Sequence, residues 1–265
     1  MPEFDPLFSV EDLGVVVSGG SRGIGAAIAA GFAERGAKVL ITGRDANSLN
    51  DAASKMQGRH SVATVTCDVA DAKAIATLVE KCQEKVGRVD CLVNVAGVNR
   101  RKPAMEITED DYDFVMDINL KGAFLLSQAV GRLMIEQGSG SQINITSLNN
   151  DRPLSQVLPY AASKAAMGQM TRALALEWGP HGVRVNGLAP GFILTDLTQK
   201  LWSDPGMQEW GRINTPQQRL GKPADLVGTA IFLASPASAF MTGQILYVDG
   251  GFTAGWNWPI PPNNQ

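Results

Sequence analysis

The chain has 265 residues, of which 45% are hydrophobic and 18% are charged, and its formal net charge is −3. This length and apolar content can bury one large core, which favours a single α/β domain over 1–265. The basic residues are scattered and no apolar run reaches the ~18 residues of a membrane span, so neither a nucleic-acid partner nor a membrane is expected.

Cysteine use and the amino-terminal sequence bear on the cellular compartment. The three cysteines form an odd set without the spacing of a metal site, which indicates free thiols in a reducing compartment and no bound metal. Residues 1–13 contain no basic segment followed by a long apolar one, so no signal peptide is expected. Both observations predict a cytoplasmic protein.

Strand and helix patterns alternate along the chain. The first strand spans 14–18 and leads through a glycine-rich turn into an alanine-rich helix over 26–35. Further strands are predicted at 38–42, 61–66, 91–94, 142–146, 184–188 and 244–248, and further helices at 47–56, 71–85, 159–178 and 225–234, with one or two more within 109–137. Such alternation predicts a doubly wound parallel sheet of about seven strands with helices on both faces, a Rossmann fold.

Two segments do not fit this alternation. Residues 191–223 mix helical signals with several prolines, and a substrate lid is predicted at about 192–219. The apolar residues expected to cover a pocket there are Leu197, Leu201, Trp202, Met207 and Trp210. The tail over 255–262 cannot be helical, so Trp256 and Trp258 are expected to dock on this chain or on a neighbouring subunit.

The turn after the first strand predicts a site for a cofactor phosphate. Glycines between a strand and a helix let backbone N–H groups approach a pyrophosphate, and the positive end of the helix favours its charge. Turns use glycine for other reasons too, but the strand before and the helix after supply the context that this interpretation needs. The residues of the turn are Gly19, Ser21, Arg22, Gly23, Ile24 and Gly25.

The end of the second strand bears on the choice between the two nicotinamide cofactors. A carboxylate there would bind the ribose hydroxyls of NAD, but the sequence has Gly43 followed by Arg44, which suits the 2′-phosphate of NADP. Arg22 adds a second cation nearby. Arg44 could instead be a solvated turn residue, and Asp45 could turn back toward the ribose, so NADP is favoured and NAD stays open.

Tyr160 and Lys164 form a candidate catalytic pair, because residues four apart on a helix share one face. A free tyrosine has a pKa near ~10, and a nearby lysine ammonium favours the phenolate and lowers that pKa. Ser147 follows the strand before this helix, where its hydroxyl could reach the same substrate oxygen. A tyrosine and a lysine at this spacing also occur by chance on helix surfaces.

Further motifs accompany this pair: Asp68-Val69, Asn94-Val95-Ala96-Gly97, Asn119 in 119–122, Pro190-Gly191 with Thr195, and 248–251. Tyr160 follows Ser147 by 13 positions and Asn119 by 41. Together with the glycine turn, these features make the chain resemble the short-chain dehydrogenase/reductase family over nearly its whole length. Val95 departs from the pattern, since the family usually has a second asparagine at that place.

The resemblance implies an oxidoreductase that moves a hydride between a nicotinamide and a carbonyl or alcohol carbon. Tyr160 would exchange a proton with the substrate oxygen, Ser147 would hydrogen-bond that oxygen, and Lys164 would lower the pKa of Tyr160 and, like Tyr160 itself, contact the cofactor. Asn119 would support a water that links Lys164 to solvent. The other cofactor contacts would come from Asp68, Val69, Asn94, Ala96, Gly97, Pro190, Gly191, Ile193 and Thr195.

Within the family, the chain is similar to sugar-acid enzymes of the gluconate 5-dehydrogenase type over 194–196, 215–216, 219–223 and 239–251, although 3-oxoacyl-thioester reductases share much of this pattern. Arg100 and Arg101 follow the fourth strand, where they could grip a carboxylate or be part of a solvated loop. Asn149 and its polar neighbours favour a polar substrate over an acyl chain. A sugar acid or keto sugar is therefore the expected small-molecule substrate.

Two interpretations lie outside this class, namely a non-catalytic NADP-binding regulator and a structural subunit of a larger complex. The intact set of Ser147, Tyr160 and Lys164 argues against both. The resemblance also implies a homotetramer. Residues 167–176 add a physical reason, because their apolar side chains exceed one face of a helix.

Overall fold

The computed structural model describes residues 5–256, in which seven parallel strands form one sheet. The strands are β1 (Gly14–Ser18), β2 (Lys38–Gly43), β3 (Ala63–Thr66), β4 (Cys91–Asn94), β5 (Gly140–Ile145), β6 (Val183–Pro190) and β7 (Ile245–Val248). Their order across the sheet is β3-β2-β1-β4-β5-β6-β7. Because β1 pairs with β2 on one side and with β4 on the other, the winding reverses between β1 and β4, and a crevice opens at the carboxyl ends of these strands.

Helices cover both faces of the sheet. They are α1 (Gly23–Ala33), α2 (Ala46–Lys55), α3 (Ala72–Val86), α4 (Glu109–Met116), α5 (Ala123–Gln137), α6 (Leu158–Trp178), α7 (Gln199–Trp202), α8 (Pro205–Asn214) and α9 (Val227–Ala234). Side chains alternate between the faces along β1: Val15 and Val17 pack in the core under α1, α2 and α9, and Val16 packs under α3, α5 and α6. The predicted doubly wound fold is confirmed.

The ends of the helices follow from local capping chemistry. Asp45 and Asp71 accept backbone hydrogen bonds at the starts of α2 and α3, and Thr108 forms a capping box with Asp111 at the start of α4. The helix predicted over 26–35 begins earlier, at Gly23, because the glycine turn itself forms its first turn. The helix predicted over 225–234 begins as a 3₁₀ turn, Pro223–Leu226, before α9.

The helical region between 109 and 137 contains an irregularity that the sequence did not indicate. Between α4 and α5, residues Asp117–Gly122 form a π-helical turn, so the chain runs from Glu109 to Gln137 without leaving a helical conformation. Asn119 lies within this turn and is fully buried. π-helical turns inside α-helices are frequent at functional sites, because they redirect side chains.

The segment between β6 and α9 is more regular than the sequence indicated. It contains two helices, α7 and α8, where several prolines predicted a broken segment. Pro205 is the first residue of α8, where proline needs no backbone N–H partner, and Asp204 caps the helix by accepting from the Met207 N–H. Pro205 therefore begins a helix rather than ending one.

Three further expectations concern the tail, the thiols and the membrane. Trp256 is 81% exposed and does not dock on the described part of this chain, and Trp258 lies outside the described residues. The three thiols are free and buried, and burial raises the pKa of each thiol, to about 11 for Cys67 and to about 12 for the other two. Between residues 5 and 256, no helix has both the length and the apolar character to cross a membrane.

Candidate active site

The turn between β1 and α1 needs glycine at several positions. Gly19 and Gly23 have φ angles of +67° and +55°, which side chains rarely adopt. A Cβ on Gly25 would lie 2.2 Å from the Gly19 carbonyl oxygen, and one on Gly19 would lie 2.9 Å from the Ala96 nitrogen. A Cβ on Gly23 would meet only Thr195, at 3.5 Å, so the space above this turn is open to a ligand.

A cavity lies at the carboxyl ends of β1 to β4 and brings together most of the predicted cofactor residues. Those that line it are Gly19, Ser21, Arg22, Gly23, Ile24, Gly25, Arg44, Asp68, Val69, Ala96, Gly97 and Thr195. Other residues that line it were not predicted to contact the cofactor, namely Thr42, Gly43, Cys67, Val95, Val98, Ile118, Asp196 and Leu197. The departure at Val95 thus falls on the cavity wall.

Besides Tyr160 and Lys164, which lie on α6, four predicted cofactor residues do not line this cavity. Asn94 donates to the Ser127 hydroxyl at 2.8 Å and to the Asn144 side-chain oxygen at 3.0 Å, so its side chain lies inside the core. The other three follow one another at the end of β6 and just beyond it: Pro190, Gly191 and Ile193. Gly191 packs closely on β7, since a Cβ there would lie 2.6 Å from the Asp249 Cα. In this structure Asn94 and Gly191 support the site from outside the cavity.

The end of β2 presents positive rather than negative charge to the cavity. Arg44 and Arg22 both line it. The Asp45 carboxylate accepts from the Ser48 backbone N–H at 2.7 Å and from its hydroxyl at 2.5 Å, so it caps α2. These hydrogen bonds hold the pKa of Asp45 below its usual range. Asp45 is therefore engaged within α2 instead of facing a ribose.

Ser147, Tyr160 and Lys164 meet at the carboxyl end of β5. The Lys164 ammonium donates to the Ile145 carbonyl at 2.6 Å and lies 5.8 Å from the centre of the Tyr160 ring. Burial lowers the pKa of Lys164 to about 8. Ser147 is 6% exposed, and its hydroxyl acts to lower the pKa of Tyr160.

Several groups act on the pKa of Tyr160. Burial raises the pKa of Tyr160, while Ser147 and the positive charge of Arg101 act in the opposite direction. The Lys164 ammonium contacts a backbone carbonyl and lies 5.8 Å from the centre of the Tyr160 ring, and its lowering role stays a prediction. Ser147 and Arg101 are thus two groups, not expected from the sequence pair alone, that favour the Tyr160 phenolate.

Asn119 ties the loop after β4 to the start of α6. Its amide oxygen accepts from the Val98 N–H at 2.8 Å, and its amide nitrogen donates to the Val98 carbonyl at 2.9 Å and to the Ser163 hydroxyl at 3.2 Å. Ser163 in turn donates to the Tyr160 carbonyl at 2.7 Å. The π-helical turn thus places Asn119 behind the turn of helix that carries Tyr160.

The basic cluster after β4 divides into paired and unpaired cations. Arg100 lies 3.8 Å from Asp111 and 4.4 Å from the centre of the Phe114 ring, and Lys102 pairs with Asp111 at 2.5 Å. Arg101 pairs with no acidic group among residues 5–256, and it is the member whose charge acts on Tyr160. The structure therefore separates Arg101 from Arg100, which the sequence treated alike.

The loop after Ser147 is polar, as expected, but its side chains face different ways. Asn149 is 7% exposed and donates to the Ser147 hydroxyl. Asn150 and Asp151 both hydrogen-bond the Tyr247 hydroxyl on β7, so they face away from Ser147. Among these polar side chains, Asn149 is the one that contacts Ser147.

Aromatic residues of the segment after β6 pack against the loop that carries Ser147. The Phe192 ring lies 5.4 Å from Trp202, 5.4 Å from Trp210 and 4.8 Å from Phe252, measured between ring centres. Leu148 is buried in the same cluster, next to Ser147 in the chain. Of the residues expected to cover a pocket, Leu197 lines the cofactor cavity, and Leu201, Trp202 and Met207 belong to this cluster.

Comparison with known proteins agrees with this geometry. The family model described as enoyl-(acyl carrier protein) reductase matches residues 19–253. The chain belongs to the short-chain dehydrogenase/reductase family. The predicted resemblance is thereby confirmed, and it extends over the cofactor cavity, the catalytic residues and the segment after β6.

Relatives within the short-chain dehydrogenase/reductase family act on polyols and sugar acids. Gluconate 5-dehydrogenase from Gluconobacter oxydans is 40% identical over 248 residues, 93% of this chain and 97% of that protein. Galactitol 2-dehydrogenase (L-tagatose-forming) from Cereibacter sphaeroides is 39% identical, over 95% of this chain and 99% of that one. The crystal structure of a gluconate 5-dehydrogenase from Burkholderia cenocepacia, in complex with NADP and tartrate, has a TM-score of 0.90 at 36% identity, covering 95% of this chain and 99% of that one.

Sequence reasoning missed the buried network beneath the site. Asn144 on β5 accepts from Asn94 on β4 and donates at 2.9 Å to the Thr171 hydroxyl on α6, and all three side chains are buried. The polar residues Asn94, at the end of β4, and Asn144, between two isoleucines in β5, were a signal for it. A buried polar residue needs partners, and the partners here come from neighbouring elements.

Proposed function

We propose that this protein is an NADP-dependent oxidoreductase that interconverts a secondary alcohol and a ketone on a polyhydroxylated carboxylate, as gluconate 5-dehydrogenases do. The observation that carries this proposal is that Arg101, in the loop after β4, pairs with no acidic group among residues 5–256, whereas its neighbours Arg100 and Lys102 lie beside Asp111. A carboxylate on the substrate would give Arg101 the anionic partner that it lacks among the described residues. The relatives support the proposal, since one is a gluconate 5-dehydrogenase and another was crystallised with NADP and the hydroxy acid tartrate.

The cavity at the carboxyl ends of β1 to β4 fits NADP. Gly23 leaves its upper side open, which suits a pyrophosphate against the backbone N–H groups of the turn and the positive end of α1. Arg44 and Arg22 would hold the 2′-phosphate, and Gly43 leaves room for it. Asp68 and Val69 would flank the adenine. Ala96, Gly97 and Thr195 would line the path of the nicotinamide half, with Asn94, Pro190, Gly191 and Ile193 supporting it.

The residues at the end of β5 would carry out proton transfer. NADP, when bound, supplies or accepts the hydride. Tyr160 would give its phenolic proton to the substrate oxygen during reduction and remove it during oxidation, and Ser147 would stabilise the charge that develops on that oxygen. Lys164 carries a pKa of about 8, so near neutral pH it could stabilise the phenolate as a cation. Asn119 would fix the turn that holds Tyr160 and, through a water, link Lys164 to solvent.

The segment at about 192–219 would act as a substrate lid. Its aromatic cluster rests on Leu148, beside Ser147, while Leu197 lines the cofactor cavity. The segment therefore contacts both the catalytic loop and the place where NADP would lie. Closing it over the substrate would exclude water from the path of the hydride.

We also propose a cytoplasmic homotetramer with one domain per chain. The outer face of α6 carries an exposed stripe that includes Leu158, Ala162, Ala165, Ala173 and Leu176. A groove beside it, between α5 and α6, exposes Phe124 and Met170. Apolar helix faces of this extent are typical of subunit interfaces. A monomeric mass by light scattering at micromolar concentration would contradict the assembly.

A substrate panel tests the function. The purified protein would be given NADP⁺ or NAD⁺ with gluconate, galactitol and a simple secondary alcohol, and NADPH with a 3-oxoacyl thioester. The expected result is turnover of the sugar acid with NADP⁺ at the highest kcat/KM. A higher kcat/KM for the thioester would contradict the substrate class, and no turnover of any compound with intact NADP binding would favour a regulator.

A further inference from the structure

The hydroxyl of Ser147 is held from one side by a single neighbouring residue. The Asn149 backbone N–H donates to Ser147 Oγ at 3.2 Å, and the Asn149 side-chain Nδ2 donates to the same oxygen at 3.3 Å. Both residues are buried, at 7% exposure for Asn149 and 6% for Ser147. These two donors occupy the side of Ser147 Oγ that faces its own loop.

The orientation of the Asn149 amide follows from its other end. Asn149 Oδ1 accepts from the Leu154 backbone N–H at 3.0 Å. A backbone N–H can only donate, so the oxygen of the amide must face Leu154 and the NH₂ group must face Ser147. The flip of this side chain is therefore fixed by the backbone of its own loop.

The consequence concerns the proton on Ser147. A serine hydroxyl has one proton to donate and two lone pairs that accept. Because two N–H groups from Asn149 fill the accepting positions, the proton is free to point away from the loop, toward Tyr160 and the substrate oxygen. Donation to a hydroxyl also polarises it, which makes it a better donor in turn.

We propose that Asn149 is a positioning residue that fixes Ser147 as a hydrogen-bond donor, whose one proton points to the Tyr160 phenolate before the substrate binds and to the reacting oxygen once it is bound. The inference rests on the proposed function, because it assigns Ser147 to the substrate oxygen. It revises the expectation that Asn149 touches the substrate itself. Asn149 would act through Ser147, and the Ser147 hydrogen bond is one of the two influences that favour the Tyr160 phenolate.

The loop has anchors that do not depend on the Asn149 side chain. Leu148 is buried in the aromatic cluster, and Asp151 accepts from the Tyr247 hydroxyl at 2.5 Å. The Asn150 and Arg152 backbone N–H groups donate to the Ser147 and Leu148 carbonyls. Variants at Asn149 should therefore keep the turn that follows Ser147.

The test compares two substitutions that separate positioning from structural support. Asn149→Asp keeps an oxygen for the Leu154 N–H but replaces the NH₂ donor by an acceptor, which would draw the Ser147 proton away from the substrate. Asn149→Ala removes both contacts. We expect kcat to fall roughly tenfold in Asn149→Ala and further in Asn149→Asp, with the Kd for NADP unchanged in both. Asn150→Ala removes a side chain of the same loop that does not contact Ser147, so kcat should fall less in this variant.

The pH dependence supplies a second readout. Alcohol oxidation requires the Tyr160 phenolate, so the rate rises with pH through the pKa of Tyr160. Weaker donation from Ser147 leaves the phenolate less stabilised and raises that pKa, so the rising limb should move to higher pH in Asn149→Ala. The proposal is overturned if Asn149→Asp is more active than Asn149→Ala, if both stay within about twofold of wild type, or if the limb does not move.

The same measurement can be made without turnover. The absorbance titration of tyrosine, taken as the difference between each Asn149 variant and its Tyr160→Phe double variant, reports the pKa of Tyr160 directly. A higher pKa in Asn149→Ala would support the inference even if no sugar acid is a substrate, and an unchanged pKa would overturn it. Failure of the proposed function would instead appear as an inactive wild-type protein in the substrate panel.

Discussion

The cofactor side and the substrate side of this active site are held by different kinds of contact. On the cofactor side, the turn at 19–25 is shaped by backbone geometry, and a side chain on Gly19 or Gly25 would collide with neighbouring backbone atoms. On the substrate side, residues from separate elements act together, as Ser147 after β5 and Arg101 after β4 both lower the pKa of Tyr160 on α6. The first arrangement tolerates few sequences, whereas the second can change its substrate through loop residues without disturbing the fold.

The comparison predicts which changes should affect binding and which should affect chemistry. Changes on the cofactor side should alter affinity for the nucleotide or the choice between nucleotides. Changes on the substrate side should alter the rate or the substrate preference while the nucleotide still binds. Four measurements test this division.

Removing the Tyr160 hydroxyl should have the largest effect. Tyr160→Phe keeps the ring beside Lys164 but deletes the group that transfers the proton, so kcat should fall by roughly a hundredfold or more. NADP affinity, measured by quenching of protein fluorescence, should stay within about twofold of wild type. A variant that keeps more than a tenth of the wild-type rate would remove Tyr160 from the proposed role.

Reversing the charge at the end of β2 should change the choice of cofactor. Arg44→Asp removes a partner of the 2′-phosphate and repels it, so the ratio of kcat/KM for NADP⁺ over NAD⁺ should fall roughly tenfold or more. Arg35→Asp makes the same charge change just beyond the other end of α1 and is the matched control. Equal ratios in the two variants would show that Arg44 faces solvent.

A smaller effect is expected from ligand binding, on the amide hydrogen exchange of the lid segment. Amide hydrogen exchange across α7 and α8 should slow when NADP and substrate are both present, because the segment contacts the cavity and the catalytic loop together. Helix α5, whose inner face is buried, serves as the internal reference. High protection in every state, including the ligand-free protein, would mean that α7 and α8 are a fixed part of the scaffold.

The sequence was informative where the physical constraint is local. Strand alternation and the glycine turn depend on residues close together in the chain, and these features indicated the sheet, its winding and the phosphate site. The π-helical turn around Asn119 and the inward direction of Asn94 depend on packing between distant elements, so no local pattern predicted them. Pro205 misled for a similar reason, because a proline that begins a helix and one that ends a helix have the same sequence signal.

On the substrate side, too, the contacts of single residues could not be predicted from local sequence. Arg100 and Arg101 are identical neighbours in the sequence, and only the fold shows that Asp111 and Phe114 engage the first and not the second. Similarly, the cation expected to favour the Tyr160 phenolate was Lys164, four residues away, and the fold adds Arg101 from another element. Specificity in this site therefore depends on loop contacts that cannot be read from spacing.

Arg101 is proposed to bind the carboxylate of the substrate. The preference between a substrate with a carboxylate and one without measures this role directly. The ratio of kcat/KM for gluconate over galactitol would be determined in the wild type, in Arg101→Ala and in the matched control Arg100→Ala. We expect the ratio to favour gluconate in the wild type, to fall roughly tenfold in Arg101→Ala and to change little in Arg100→Ala. The reason is that Arg101, unlike Arg100, has no acidic partner among the described residues. An unchanged ratio in Arg101→Ala, or an equal fall in both variants, would contradict it.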